Sequence, residues 1–265
     1  MSLADLTFDQ WRSFDLPAAR RFARRVAEST GGRLVAVETV EHLGAPLHRA
    51  RVERGGQEFA LVPGGTVTLG FDPERWRPAP EQEADYRESL EQGFGHGPDL
   101  RSHLALLLSP RRTVTLGAVL MAVEDERLTE PPAAVPALLA ARGLRMPGPD
   151  EWEHACGAGA DTLFRWGDEC PLDRIPYDHP AGPQRELNAL GLRIAYDTYR
   201  SELSGDRTAV HGGDGGESAC GGYGALLGWL PLATAHRGHP EYAAFVYGEE
   251  GEDLYGEFSV RPVLG

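Results

Sequence analysis

Thiols, positive charge and long apolar runs are all scarce in this chain of 265 residues. Its three cysteines, Cys156, Cys170 and Cys220, have no local spacing that reads as a zinc site, and their odd number suits a reducing compartment. With 26 basic against 40 acidic side chains the formal charge is −14, which argues against nucleic acid, whose binding depends on neutralising phosphates. No run approaches the ~18 apolar residues of a membrane span, and the N-terminus has no basic-then-apolar leader pattern. These shortages together predict a soluble, cytoplasmic protein with neither nucleic acid nor membrane as partner.

What is abundant is punctuation. The chain carries 33 glycines and 20 prolines beside 41% hydrophobic residues, the composition of a folded but loop-rich protein. The most ordered stretch is 144–168, LRMPGPDEWEHACGAGADTLFRWGD. It reads as a short strand, a Pro147-Gly148-Pro149 turn and a short helix, followed by a loop that glycine breaks. Asp150, Glu151 and Glu153 lie near the positive end of that helix, and Trp152, Ala155 and Cys156 form one apolar stripe.

Before this stretch, residues 1–56 read as an N-terminal extension. Asp15 can cap a helix whose apolar face is Ala19, Phe22, Ala23, Val26 and Ala27; its other face carries Arg20, Arg21, Arg24 and Arg25, a solvated side or a dock for an acidic partner. Strands at 34–37 and 47–52 follow, around a Gly44 turn. Residues 59–70, FALVPGGTVTLG, read as a β-hairpin. From 72 to 110 the pattern turns helical and polar, and a strand returns at 112–121. Residues 130–142 read as one more helix.

The 144–168 stretch resembles the "R-L-P-T-E-A-E-W-E-Y-A … W-G-D" signature of the formylglycine-generating enzyme (sulfatase-modifying factor) family. The matching residues are Arg145, Pro147, Glu151, Trp152, Glu153, Ala155, Trp166, Gly167 and Asp168. Weaker similarities run through 59–70, Asn188 to Leu192, Val210 to Asp214, Ala233 to Arg237 and Phe258 to Leu264. The resemblance implies an α+β, C-type-lectin-like fold over 57–265, with 72–110 as a helical insertion. In that family two cysteines hold copper and oxidise a substrate cysteine; their equivalents here fall near Gly224 and Trp229, which implies that this oxidase chemistry is absent. The family's calcium segment is degraded too: Ile194 stands for an Asp, Asp197-Thr198 for Gly-Asn, and Ser201 for an acidic residue.

The richest polar neighbourhood combines His211, Asp214, Glu217, Cys220, Tyr223, His236, Arg237, His239 and Glu241. His211, His236 and His239 suit iron or copper, or are ordinary hydrogen-bonding side chains. Arg237 and Arg261 point into a pocket to hold a carboxylate, or pair with buried acids. Trp229 lines the site vacated by the oxidase chemistry, or fills core. Three functions follow: a small-molecule or peptide binding (accessory) protein; a repurposed enzyme of specialised metabolism, either with histidine-bound non-heme iron or a tautomerase; or a scaffold for a protein partner.

Overall fold

The computed structural model describes residues 2–265. The chain enters through α1 (Phe8–Ser13) and α2 (Leu16–Ser29). Thr7 and Gln10 cap α1 reciprocally, and Asp15 accepts the Ala18 amide at 2.7 Å to start α2. The predicted face of α2 is buried and its four arginines are exposed. Burying Phe22 or Val26 contributes about 1.5–3 kcal/mol each. β1 (Arg33–His42) and β2 (Ala45–Arg54) then form a hairpin whose two turn residues, Leu43 and Gly44, both have positive φ, as a tight β-hairpin turn requires.

β3 (Gln57–Val62) pairs with β2 across the Gly55-Gly56 turn. The division at 56/57 therefore falls inside a hairpin, and the extension shares its sheet with the following domain. β4 (Gly65–Leu69) leads to α3 (Pro80–Glu91) and α4 (Leu100–Leu107), the two helices of the 72–110 segment that the resemblance reads as an insertion. β5 (Arg112–Leu116), β6 (Val119–Ala122), β7 (Glu126–Arg127), α5 (Val135–Ala141) and α6 (Pro149–Gly157) follow. A long irregular segment reaches β8 (Ser201–Leu203), β9 (Val210–His211), α7 (Glu217–Cys220) and α8 (Ala225–Trp229). The chain closes through α9 (Pro240–Tyr247), α10 (Glu249–Glu252), β10 (Phe258–Val260) and β11 (Val263–Leu264).

The architecture is α+β. A five-stranded antiparallel sheet runs β1-β2-β3-β6-β11, a four-stranded sheet β7-β10-β8-β9 contains one parallel pair, and β4-β5 forms a third. None closes into a barrel. One buried cluster joins them, from Trp11 and Phe22 through Phe59 and Trp152 to Trp229.

Three local expectations need correction. Residues 59–70 do not form a hairpin: β3 pairs with β2 and β6, while β4 pairs only with β5. Gly64 intervenes, its amide and carbonyl taken by Leu6 and Phe8 of the N-terminal segment, so the two strands diverge. The two TVTLG strings instead lie antiparallel on each other, Val67 opposite Val114, with the Thr66 and Thr115 hydroxyls 3.1 Å apart. The helix read at 130–142 begins only at Val135, because Pro131 and Pro132 remove donors and bias the residues before them away from helix. The strand read at the start of 144–168 reduces to a single bridge, Arg145 to Val263.

α6 itself is as the sequence reads. Glu151 accepts the Gly148 amide at 2.8 Å, Trp152, Ala155 and Cys156 are fully buried, and Ala158 in the left-handed conformation ends it. Asp168 ties this region to the insertion by accepting the Trp76 indole at 2.9 Å, while its carbonyl takes Gln82.

Candidate functional site

Arginines first. Arg261 is 0% exposed and is enclosed by its hydrogen-bond partners. It donates to Glu202 through Nε and Nη2, at 2.8 and 2.6 Å, and to the carbonyls of Ala122, Val123 and Arg193. Glu202 also accepts the Trp152 indole at 2.8 Å. Burial raises the Glu202 carboxyl and Arg261 works against that rise. The pocket reading of Arg261 is thereby corrected: it is a buried structural cation. Arg237 likewise turns to Asp150 and Glu153. Glu153, read as a helix-terminal charge, is instead buried and accepts from the Gly70 amide, Ser109, Arg112 and Arg237.

Two further candidates belong to the core. The His211 ring stacks on Trp152 at 4.6 Å, and its Nδ1 donates to the His236 carbonyl at 3.0 Å, which leaves Nε2 an unpartnered acceptor. Burial pushes its pKa down to about 3, with Arg237 adding to the effect. Trp229 is fully buried, its indole bonded to the Arg174 carbonyl.

No metal expectation finds ligands. Among the described residues no group of three or more His, Cys, Asp or Glu is arranged to hold a metal ion. His211 is turned into the core, and His239 is an exposed cap whose Nδ1 accepts the Glu241 amide, so with His236 they form no iron or copper set. Nor do the thiols fit copper: burial drives Cys156 and Cys170 up to about 12, and exposed Cys220 contacts the Tyr199 hydroxyl. At Gly224 a Cβ would lie 2.1 Å from the Ser89 hydroxyl of α3, so the insertion occupies the space a side chain would need. Neighbouring Asp85, also on α3, accepts the Leu226 amide and caps α8. As for calcium, Ile194 is buried, and the carbonyl and carboxylate oxygens around Glu202 converge on the Arg261 guanidinium instead.

The remaining candidates meet in one cavity of about 510 Å³ between the insertion and the C-terminal third. Asp214, Glu217, Tyr223, His236, His239 and Glu241 line it, as do His96, His103 and Leu107 of the insertion. Its floor is apolar, from Leu227, Leu230 and Pro231. His103 is 3% exposed; its Nδ1 accepts the His96 amide at 2.9 Å, so the neutral ring carries its proton on Nε2, which has no acceptor. Burial, then the neighbouring His96, push its pKa down to about 4. His236 is 6% exposed, its Nδ1 has no partner, and burial lowers its pKa although Asp214 pulls the other way. A buried unpartnered polar group costs about 1–3 kcal/mol. Asp214 is held by the Gly216 and Ser218 amides, and Tyr223 stacks on Phe94 while donating to Glu217. The loop before α4 reaches the cavity only because Gly95, at φ +92°, lets its backbone pass Tyr86, whose hydroxyl donates to the His96 carbonyl.

His96 and His103 were not legible as site residues. The signal was a histidine among Leu100, Leu104 and Leu107 on the apolar stripe of α4. A second cleft, of about 380 Å³ along β4, collects none of the predicted residues. Among the described residues no helix is long and apolar enough to cross a membrane. Comparison with protein-family models, with curated proteins and with solved structures gives no match.

Proposed function

We propose that the chain is a divergent member of the formylglycine-generating enzyme family with its C-type-lectin-like fold, in which the cavity beside the insertion binds a small molecule or peptide without copper–cysteine oxidation. It acts as a binding or accessory protein. The observation that carries this reading is the cavity: apolar side chains with a few polar groups, two of them buried imidazoles that each leave one nitrogen without a partner. A ligand supplies what the free protein lacks. Gly224 and Trp229, near which the resemblance puts the copper ligands, offer no thiolate, which supports a reading without copper–cysteine oxidation.

A second reading, proton transfer by a tautomerase, is favoured by one observation. His236 is a neutral imidazole with an unpartnered nitrogen beside Asp214, which suits a general base near neutral pH.

The test is a thermal-shift screen of metabolites and short peptides, repeated on Ser218→Trp, which plugs the cavity wall. Hits that stabilise the natural chain and lose their effect in the plugged variant support the reading. Hits that stabilise both proteins equally, or no hits from any class, sink it.

A further inference from the structure

We infer that this cavity selects an organic ammonium ion: an amine on an aromatic or aliphatic body that also carries an oxygen acceptor. The inference deepens the binding reading above and rests on it.

The charge is one-sided. Asp214, Glu217 and Glu241 line the cavity, no arginine does, and the chain contains no lysine at all. Histidine is then the one side chain there able to supply positive charge, and burial keeps both His103 and His236 neutral at pH 7. Carboxylates over a low-dielectric floor concentrate cations. Asp214 is the best placed of the three. Two backbone amides fix its oxygens at 2.9 and 3.0 Å, and its charge is felt at His236, Tyr223 and Tyr242.

An acidic rim alone would bind only counterions. What points to a shaped ligand is the pair of buried rings. His236, whose Nδ1 has no partner, lines the cavity together with Asp214 and feels its charge. On the insertion side, His103 carries its proton on Nε2 because Nδ1 is already taken by the His96 amide. That N–H is a donor short of an acceptor, and an oxygen on the ligand fills the role. Leu107, Leu227 and Leu230 line the same cavity and take an apolar body. The Tyr223 ring, braced by Phe94 at 4.5 Å, adds an aromatic face that attracts cations.

The probes are tyramine, phenethylamine, which lacks the hydroxyl, and 4-hydroxyphenylacetate, which reverses the charge. Each is titrated calorimetrically into the full chain at pH 7.5 and low salt. Tyramine is expected to bind saturably, phenethylamine several-fold more weakly and the acid at least tenfold more weakly. Asp214→Asn should weaken tyramine at least fivefold; it also gives up one of the two amide bonds that the carboxylate accepts, so its melting temperature is read alongside. Should that variant fold poorly, Glu217→Gln/Glu241→Gln, both at exposed positions, is expected to weaken tyramine and flatten its salt dependence. Equal binding of the acid and tyramine, both abolished by Ser218→Trp, would overturn the cation inference while leaving the binding reading intact. Failure of all three probes also overturns it, and the broader screen then judges the binding reading alone.

Discussion

Replacing Arg261 with methionine tests whether the framework has been understood, because this guanidinium is enclosed and is not part of the lining of the candidate cavity. It donates five hydrogen bonds, two to Glu202 and three to backbone carbonyls, and is 0% exposed against 2% for Glu202. Methionine fills much of the volume and removes every donor. Glu202 then keeps only the Trp152 indole as a partner in a fully buried place. Breaking such a pair costs about 3–5 kcal/mol. For a chain of this size that is a fall in melting temperature of about 6–20 °C. The pH dependence follows from the stranded carboxyl. Its folded-state pKa is raised by burial, so its contribution to stability is full below the unfolded value and is lost as pH rises through the folded one. The deficit of Arg261→Met should therefore be smaller at pH 5 than at pH 8. Adding Glu202→Gln removes the stranded charge and is expected to recover a good part of the loss, measured by urea denaturation as a double-mutant cycle. A single variant that loses less than about 1 kcal/mol, or a double variant no more stable than the single, would refute the reasoning. Cavity binding by the folded variant should be unchanged.

Two further outcomes follow. Gly224→Ala places a Cβ 2.1 Å from the Ser89 hydroxyl at φ +104°, so urea unfolding should show a loss of at least about 1–3 kcal/mol; adding Ser89→Gly should recover the clash but not the backbone strain. His103 and His211 are folded with pKa values of about 4 and 3, both depressed by burial, so their contribution to stability is full above the ordinary histidine value and is lost as pH falls towards the folded values. Between about pH 6 and pH 4.5 stability should fall by up to about 1.4 kcal/mol per pH unit for each ring. A urea midpoint flat across that range would show that the two rings are not buried and neutral.

The parts of the fold that were legible are those whose signal is local. α2 declared itself through Asp15 and the spacing of Phe22 and Val26, and α6 through its Pro-Gly-Pro start and the Trp152, Ala155, Cys156 stripe. What failed was pairing. The strands around Pro63-Gly64 look like the arms of a hairpin in sequence, yet the chain that separates them, Leu6 to Phe8, lies more than fifty residues upstream. Nothing in the local pattern of residues 59–70 announces that contact. Likewise Glu153 matched a helix-terminal charge by position, and only the arrival of Arg112 and Arg237 from distant strands and loops turned it inward.

The candidate site divides along the same line, and the division bears on function. Asp214, Tyr223, His236 and His239 were legible because they crowd one stretch of sequence, but sequence proximity also swept in His211, Trp229 and Arg237, which face the core or the acids of α6. The other wall was hidden in a segment that reads as a polar surface insertion. That segment does two things in the fold. Through Ser89 and Asp85 on α3 it closes over Gly224 and caps α8, taking the space a side chain at Gly224 would need. Through His96 and His103 it also supplies part of the cavity wall. On the proposed reading, a chain that had merely lost its cysteines would leave a vacant surface there, whereas the same helices exclude one chemistry and furnish the donors for another. On the proposed reading, the insertion and the missing cysteines are therefore one change and not two. Deleting 72–110 should then cost the cavity its ligand without bringing copper binding back.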